Sequence, residues 1–119
     1  MPREKLQTLT EQMFYVLLCL RQECCGMDIM EAVQQMTNGR ISIGPGTLYH
    51  LLDQFQEEGM IKETKTEGRR KSYIISEKGQ QRLDEAYRRL CMQAADYERM
   101  TGGAYHEKRE IPLGALSPV

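Results

Sequence analysis

Apolar residues recur at helical spacing from the start of the chain. Five of them lie 4, 3, 1 and 3 residues apart and would share one helix face: Leu9, Met13, Val16, Leu17 and Leu20. This stripe predicts a first helix over residues 9–22. Thr8 is followed three residues later by Glu11, a spacing that predicts a capping box at the start of that helix. Further apolar residues widen the stripe, which fits either a helix buried in the domain or one that also meets a partner subunit.

A second helix is predicted after a break at Gly26. Its apolar residues again repeat at helical spacing: Ile29, Met30, Val33 and Met36. Thr37 precedes Asn38 and Gly39, two residue types that accept the left-handed conformation found at helix ends. The second helix is therefore expected to close at Thr37-Asn38-Gly39.

The third helix is predicted to begin at Gly44-Pro45-Gly46, because Pro suits the first helical position, where its missing N–H costs nothing. Ile43 is placed to pack on Leu48 as a hydrophobic staple. Four residues at helical spacing would face the core: Leu48, Leu51, Leu52 and Phe55. The opposite face carries Gly46, Tyr49, His50, Asp53 and Glu57. Gly59 is expected to end the helix.

Two strand-like runs follow, at residues 60–64 and 71–75. The segment between them, residues 65–70, is polar and contains one glycine, so the pattern predicts a β-hairpin with a flexible tip. Ser76 then caps a fourth helix that runs to about residue 100.

The fourth helix carries an apolar seam. Its members lie 4, 3, 4 and 3 residues apart, which is heptad spacing: Leu83, Tyr87, Leu90, Ala94 and Tyr97. At 1.5 Å per residue such a helix is about 35 Å long, more than a small core covers. We therefore predict a dimer in which this seam pairs with its symmetry mate or with the partner's first helix, through Met13 and Leu17.

This order of elements predicts a mainly α fold with a small β-hairpin, namely a winged helix-turn-helix plus a long C-terminal dimerisation helix. The winged helix-turn-helix, which would bind DNA, is expected over residues 1–76. The dimerisation helix is expected over residues 77–101, and residues 102–119 are expected to form an extended or disordered tail.

Composition narrows the function. With no apolar segment near the ~20 residues of a membrane span and no apolar signal core, we expect a cytoplasmic protein. The four cysteines lack the spacing of a tetrahedral metal site, and neither a nucleophile–base pairing nor a phosphate loop is evident. We therefore expect no enzyme, no metal and no cofactor. Whether Cys24 and Cys25 are redox-active is left open.

Net charge is −1, which excludes a generally basic surface but not a local patch. Residues 68–73 contain three bases and no acid. Since a major groove admits one helix, the third helix and the hairpin predict a DNA site. The expected contacts are Gly46, Thr47, Tyr49 and His50 on the helix and Lys65, Arg69, Arg70 and Lys71 on the hairpin.

Several motifs of this chain together resemble the PadR family of bacterial transcriptional regulators. They are Asn38-Gly39-Arg40, Ile43-Gly44-Pro45-Gly46-Thr47-Leu48-Tyr49, Glu57-Glu58-Gly59-Met60-Ile61, Gly68-Arg69-Arg70-Lys71-Ser72-Tyr73 and Glu77-Lys78-Gly79. The resemblance covers about residues 8–100. Within the family, the chain is similar to the short subgroup that has a single C-terminal dimerisation helix. The resemblance implies a homodimeric DNA-binding protein, usually a repressor, that an unidentified small-molecule effector releases. Many relatives carry basic residues along the third helix, whereas this chain has Tyr49, His50 and Asp53.

A second function remains open at this point, a winged helix that binds another protein instead of double-stranded DNA. A near-neutral net charge favours it slightly. An apolar exposed face on the third helix would support the protein-binding module, and a positive hairpin beside a positive third helix would support DNA.

Overall fold

The structure, a computed structural model, describes residues 8–102 of the chain. These residues form four helices and one three-stranded antiparallel sheet. The helices are α1 (Glu11–Cys19), α2 (Gly26–Met36), α3 (Pro45–Glu57) and α4 (Glu77–Thr101), and the strands are β1 (Cys24–Cys25), β2 (Ile61–Glu67) and β3 (Arg70–Ile75). The predicted fold class, a mainly α winged helix-turn-helix with a long C-terminal helix, is confirmed. The tail predicted over residues 102–119 lies outside the described residues, apart from Gly102.

Helix α1 is shorter than predicted and has a different cap. It begins at Glu11, and its N-cap is Thr10, whose side-chain oxygen accepts a hydrogen bond from the Met13 N–H at 3.2 Å. The Thr10 N–H in turn lies 3.5 Å from the Met13 sulfur. The capping box predicted at Thr8 and Glu11 is therefore wrong: Thr10 offers a second cap two residues along, which places Glu11 in the first turn.

The link between α2 and α3 follows its local signals. Asn38 and Gly39 adopt φ values of 57° and 78°, as their residue types predict for a helix end. Buried Thr37 holds the turn together, because its hydroxyl donates to the Val33 carbonyl at 2.8 Å and accepts from the Ile41 N–H at 3.0 Å. Pro45 stands at the start of α3, as predicted.

The sheet has the order β1-β3-β2. The predicted hairpin is β2 and β3, but its strands reach further than expected, since Glu67 pairs with Arg70 and only Gly68 and Arg69 form the turn. Gly68 has φ 64°, a conformation that a glycine adopts without strain. Strand β1 was not predicted. Its two residues pair with the other edge of β3, Cys24 opposite Tyr73 and Cys25 opposite Ser72, and a two-residue strand has no periodicity of its own.

One apolar core joins the helices and the sheet. Its largest wholly buried side chains come from α1 and its C-cap residue, from α2 and α3, and from the residue before β2: Val16, Leu17, Leu20, Ile29, Val33, Leu48, Leu52, Phe55 and Met60. Every residue of the predicted α3 core stripe is buried. The sequence periodicity therefore identified the buried face of α3 correctly. On α2 it was wrong at one position, since Met36, the last member of the predicted stripe, is 46% exposed.

Helix α4 is capped as predicted. The Ser76 hydroxyl accepts from the Gly79 N–H at 3.1 Å and donates to the Gly59 carbonyl at 2.6 Å. The chain divides into two compact units, with the boundary between Ala86 and Tyr87 inside α4. Among residues 8–102, no helix has the length and the apolar character needed to span a membrane.

Candidate nucleic-acid interface

Helix α3 has one buried face and one exposed face. The buried stripe, which consists of Leu48, Leu51, Leu52 and Phe55, holds the helix on the core, so that the opposite side of the helix faces solvent. The predicted α3 contact residues Gly46, Thr47, Tyr49 and His50 are all exposed, as is Asp53. A Cβ built on Gly44 or Gly46 would meet no atom within 4 Å, so the start of α3 is open to a close approach from outside.

The wing, defined as β2, β3 and their two-residue turn, presents its cations to solvent. Arg69 lies in the turn, Arg70 and Lys71 begin β3, and Lys65 lies on β2; all four are exposed. Side chains alternate along a strand, so Lys71 shares a face with Tyr73. Because Tyr73 is buried in the core at 5% exposure, this face of the wing is the one turned towards the helices.

Helix α3 and the wing line a common groove of ≈ 390 Å³. We call it the wing groove. Three parts of the chain line it: residues 25–27 at the start of α2, Tyr49 and Asp53 of α3, and Arg69, Arg70, Lys71 and Tyr73 of the wing. Four of the predicted DNA contacts therefore line one site: Tyr49, Arg69, Arg70 and Lys71.

The other predicted contacts do not line this groove. Gly46, Thr47 and Lys65 are exposed outside it. His50 lines a separate depression on α3, which it shares with Asp53 and Glu57. Asp53 lines both depressions and so occupies the middle of the exposed α3 face.

The electrostatics of the wing groove combine three cations with one acid. Among residues 8–102, no ion pair involves Arg69, Arg70 or Lys71, so these charges are available to an incoming anion. Burial raises the pKa of Tyr73 above its usual 10.0, and the nearby carboxylates of Glu63 and Asp53 raise it further. Tyr73 therefore stays neutral and contributes no negative charge to the groove.

The sequence did not identify Asp53, Gly26 and Met27 as parts of the site. Asp53 was visible on the exposed face of the third helix, one turn after Tyr49, and that spacing was a usable signal. Gly26 and Met27 precede Asp53 by more than twenty positions, and only the packing of α2 against α3 brings them to the groove.

The residues predicted to form a dimer interface separate into two groups. Leu17 and Leu83 are buried within the chain's own core, at 0% and 3% exposure, and Met13 packs against that core. Tyr87, Leu90 and Tyr97 are 60%, 50% and 52% exposed, and Ala94 between them is exposed as well. Within the described residues, the large side chains of the second group are exposed to solvent, whereas those of the first group are buried or packed on the core.

The described cysteines are free thiols, and residues 8–102 hold no group of three or more His, Cys, Asp or Glu side chains able to bind a metal. Burial, with a smaller contribution from neighbouring Cys24, raises the pKa of Cys19 from 9.0 to about 11. Burial also raises the pKa of Cys24, and Asp28 adds to the effect. Since the thiolate is the reactive form, both shifts lower the reactivity of these thiols.

Comparison with known sequences gives one family. The model of the family described as "Transcriptional regulator PadR-like family" matches residues 16–85, more than half of the chain. Transcriptional regulator YqjI of Escherichia coli (strain K12) is 32% identical over 65 residues, which make up 55% of this chain and 31% of YqjI. The chain thus spans about a third of the length of this curated relative.

Comparison with solved structures gives the same fold. A PadR family transcriptional regulator from Eggerthella lenta DSM 2243 has a TM-score of 0.64 at 20% identity, over 76% of this chain and 80% of that one. Bacillus subtilis PadR, solved in complex with operator DNA, has a TM-score of 0.55 at 23% identity, over 65% of this chain and 46% of that one. At these identities the two similarities show the fold alone.

Proposed function

From the premise that this chain belongs to the PadR-like family of transcriptional regulators, we propose that it regulates transcription by binding double-stranded DNA through α3 and the wing. The observation that carries the proposal is the wing groove, where Tyr49 of α3 and three wing cations line one depression. Regulators of this family act by binding and are not enzymes in general, in keeping with the absence of a catalytic motif in the sequence.

The geometry of α3 suits a major groove. The groove of B-DNA accepts one α-helix, whose N-terminal residues reach the base edges. Gly44 and Gly46 leave the start of α3 without bulk, so that the DNA backbone can approach its free N–H groups. Tyr49, which makes no hydrogen bond within residues 8–102, then offers its hydroxyl to a phosphate or a base edge.

The wing supplies the charge that α3 lacks. The exposed face of α3 presents His50 and Asp53 and no Lys or Arg, so phosphate attraction has to come from Arg69, Arg70 and Lys71. These cations are exposed, and none of them forms an ion pair with another residue of the described range, 8–102. We infer that the wing and the start of α3 provide most of the affinity, and that the shape of the DNA contributes to sequence preference.

We further propose that the protein acts as a homodimer through α4. Exposed Tyr87, Leu90, Ala94 and Tyr97 recur at heptad spacing and form an apolar stripe. A soluble helix rarely leaves such a stripe uncovered, and a second copy offers the same stripe across a two-fold axis. A two-fold dimer presents two α3 helices, which predicts a pseudo-palindromic operator. Repression, and its release by a small-molecule effector, remain expectations drawn from the family resemblance.

The test is a gel shift on the protein's own promoter region, with a salt titration. We expect a specific shift whose log K falls linearly with log salt. Arg69→Ala with Arg70→Ala should make that slope less steep by up to about 1.8 per protomer, since each phosphate contact contributes about 0.9.

The matched control is Arg88→Ala with Arg89→Ala. This pair is also exposed and removes the same charge from α4, so the slope should stay near that of the unmodified protein. No specific shift at low salt, or equal slopes for the two double variants, would refute DNA binding by the wing. A failure of this kind would favour the protein-binding alternative, although the polar α3 face argues against it.

A further inference from the structure

The first residue of α2 lies directly beneath the side chain of Tyr49. A Cβ built on Gly26 would stand 2.5 Å from the Tyr49 hydroxyl oxygen, 2.9 Å from Cζ and 3.0 Å from Cε1. Separations below 3.0 Å do not occur between a real Cβ and its neighbours, so any residue larger than glycine would displace the ring. The phenol end of Tyr49 therefore rests on the backbone of α2.

The requirement for glycine at this position is spatial. The backbone of Gly26 does not lie in the left-handed region, since the glycines with positive φ are Gly39, Gly59, Gly68 and Gly102. Gly26 is the first residue of a regular helix, where alanine is intrinsically the better residue. The three atoms that a Cβ at this position would approach most closely all belong to the Tyr49 side chain.

The Tyr49 ring is held on one side and open on the other. It is 45% exposed, so one edge faces solvent in the wing groove while the hydroxyl end contacts α2. Its neighbours on α3 are anchored by the buried stripe, which leaves rotation of the side chain as its main freedom. Contact with the α2 backbone removes that freedom.

We propose that Gly26 is a positioning residue for DNA binding, which acts by letting Tyr49 lie against α2 and present its hydroxyl at a fixed place in the wing groove. This inference rests on the proposed function and adds to it a residue that belongs to neither α3 nor the wing. In the Gly26→Ala protein the new Cβ would collide with the far end of the exposed Tyr49 side chain. We therefore expect the Tyr49 ring to move and the fold to stay unchanged.

The experiment is a double-mutant cycle on operator binding with Gly26→Ala, Tyr49→Ala and their combination. We expect each single substitution to weaken binding by about tenfold per half-site, the upper range for one lost hydrogen bond. The combination should be no weaker than Tyr49→Ala alone, because Gly26 acts through the ring. The melting temperature of Gly26→Ala should stay within about 4 °C of that of the unmodified protein, because the fold is retained.

Gln34→Ala is the control, since Gln34 is exposed on α2 and does not line the wing groove; it should leave the affinity unchanged. A second readout needs no DNA. In NMR spectra, the Gly26 Hα protons should show a ring-current shift that disappears in Tyr49→Ala.

The outcomes separate this inference from the proposed function. If the unmodified protein binds no DNA, both are overturned. If it binds, and Gly26→Ala binds equally well or the two losses add in the combination, only the positioning role is overturned. Gly26 Hα shifts that are unaffected by Tyr49→Ala would overturn it as well.

Discussion

Gly79 and Gly46 both lie in helices but are expected to respond in opposite ways to substitution by alanine. Gly79 is in the first turn of α4 and is buried. A Cβ at this position would stand 2.2 Å from the Met60 carbonyl oxygen and 2.8 Å from Cγ1 of Ile75. The carbonyl cannot easily give way, because it accepts the Ser76 N–H at 2.8 Å where the wing enters α4.

The expected cost of Gly79→Ala follows from these distances. The Met60 oxygen would be about 0.8 Å closer than any real Cβ contact allows, and such overpacking costs ~1–3 kcal/mol. Because the clash is with a backbone atom, we take the upper part of that range, about 2–3 kcal/mol. Alanine recovers ~1 kcal/mol of helix propensity. The net loss is then about 1–2 kcal/mol, which at about 4 °C per kcal/mol corresponds to a fall in Tm of roughly 4–8 °C.

Thermal denaturation followed by circular dichroism measures this fall. Gly46→Ala is the matched control, because its Cβ would meet nothing within 4 Å, and its Tm should stay equal or rise. Operator binding should show the reverse order. Gly46→Ala should bind more weakly, because it adds bulk at the turn that we propose faces DNA, and Gly79→Ala should bind normally below its Tm. An unchanged or higher Tm for Gly79→Ala would refute the packing argument.

Three further predictions test other parts of the molecule. The pKa of Cys19 is raised from 9.0 to about 11. Iodoacetamide should therefore alkylate Cys19 at pH 8 about 100-fold more slowly than a thiol with the ordinary pKa. If mass spectrometry finds Cys19 modified as fast as exposed Cys91, the role of burial is contradicted. Leu90→Glu should shift the sedimenting species from dimer to monomer at micromolar concentration, while Gln93→Glu, off the stripe, should not; a dimer in both would exclude this face of α4. Asp53→Asn should tighten binding to DNA of any sequence by about fivefold at low salt. It removes a carboxylate whose repulsion of a phosphate is worth ~1 kcal/mol. If filter binding shows weaker affinity instead, Asp53 accepts a hydrogen bond from a base.

The helices were predictable because their signals are local. The buried face of α3 follows from four residues at helical spacing, and its start follows from the fixed φ of Pro45. The turn at Asn38 and Gly39 and the Ser76 cap likewise depend on residues a few positions apart. Where two local signals competed, as at the start of α1, the sequence alone did not decide: Thr8 with Glu11 matched the capping pattern, and the chain uses Thr10.

The candidate site was predictable in part. The exposed cations of the wing and the exposed position of Tyr49 followed from the hairpin and the helix period. The meeting of Tyr49 with Arg69 and Lys71 in one groove depends on the angle between α3 and the sheet, which no local pattern encodes. The same packing places Asp53 among the cations.

The sequence by itself determined the order of the four helices and the hairpin and the buried face of α3, because helix and strand periodicities report which side of an element avoids water. Tertiary structure alone decided three features. Strand β1 forms only because β3 has a free edge, Gly26 meets Tyr49 only because α2 crosses the start of α3, and Leu83 is covered by the chain's own core while Leu90 is not. Each depends on contacts between residues far apart in sequence, and such contacts are set by how the elements pack.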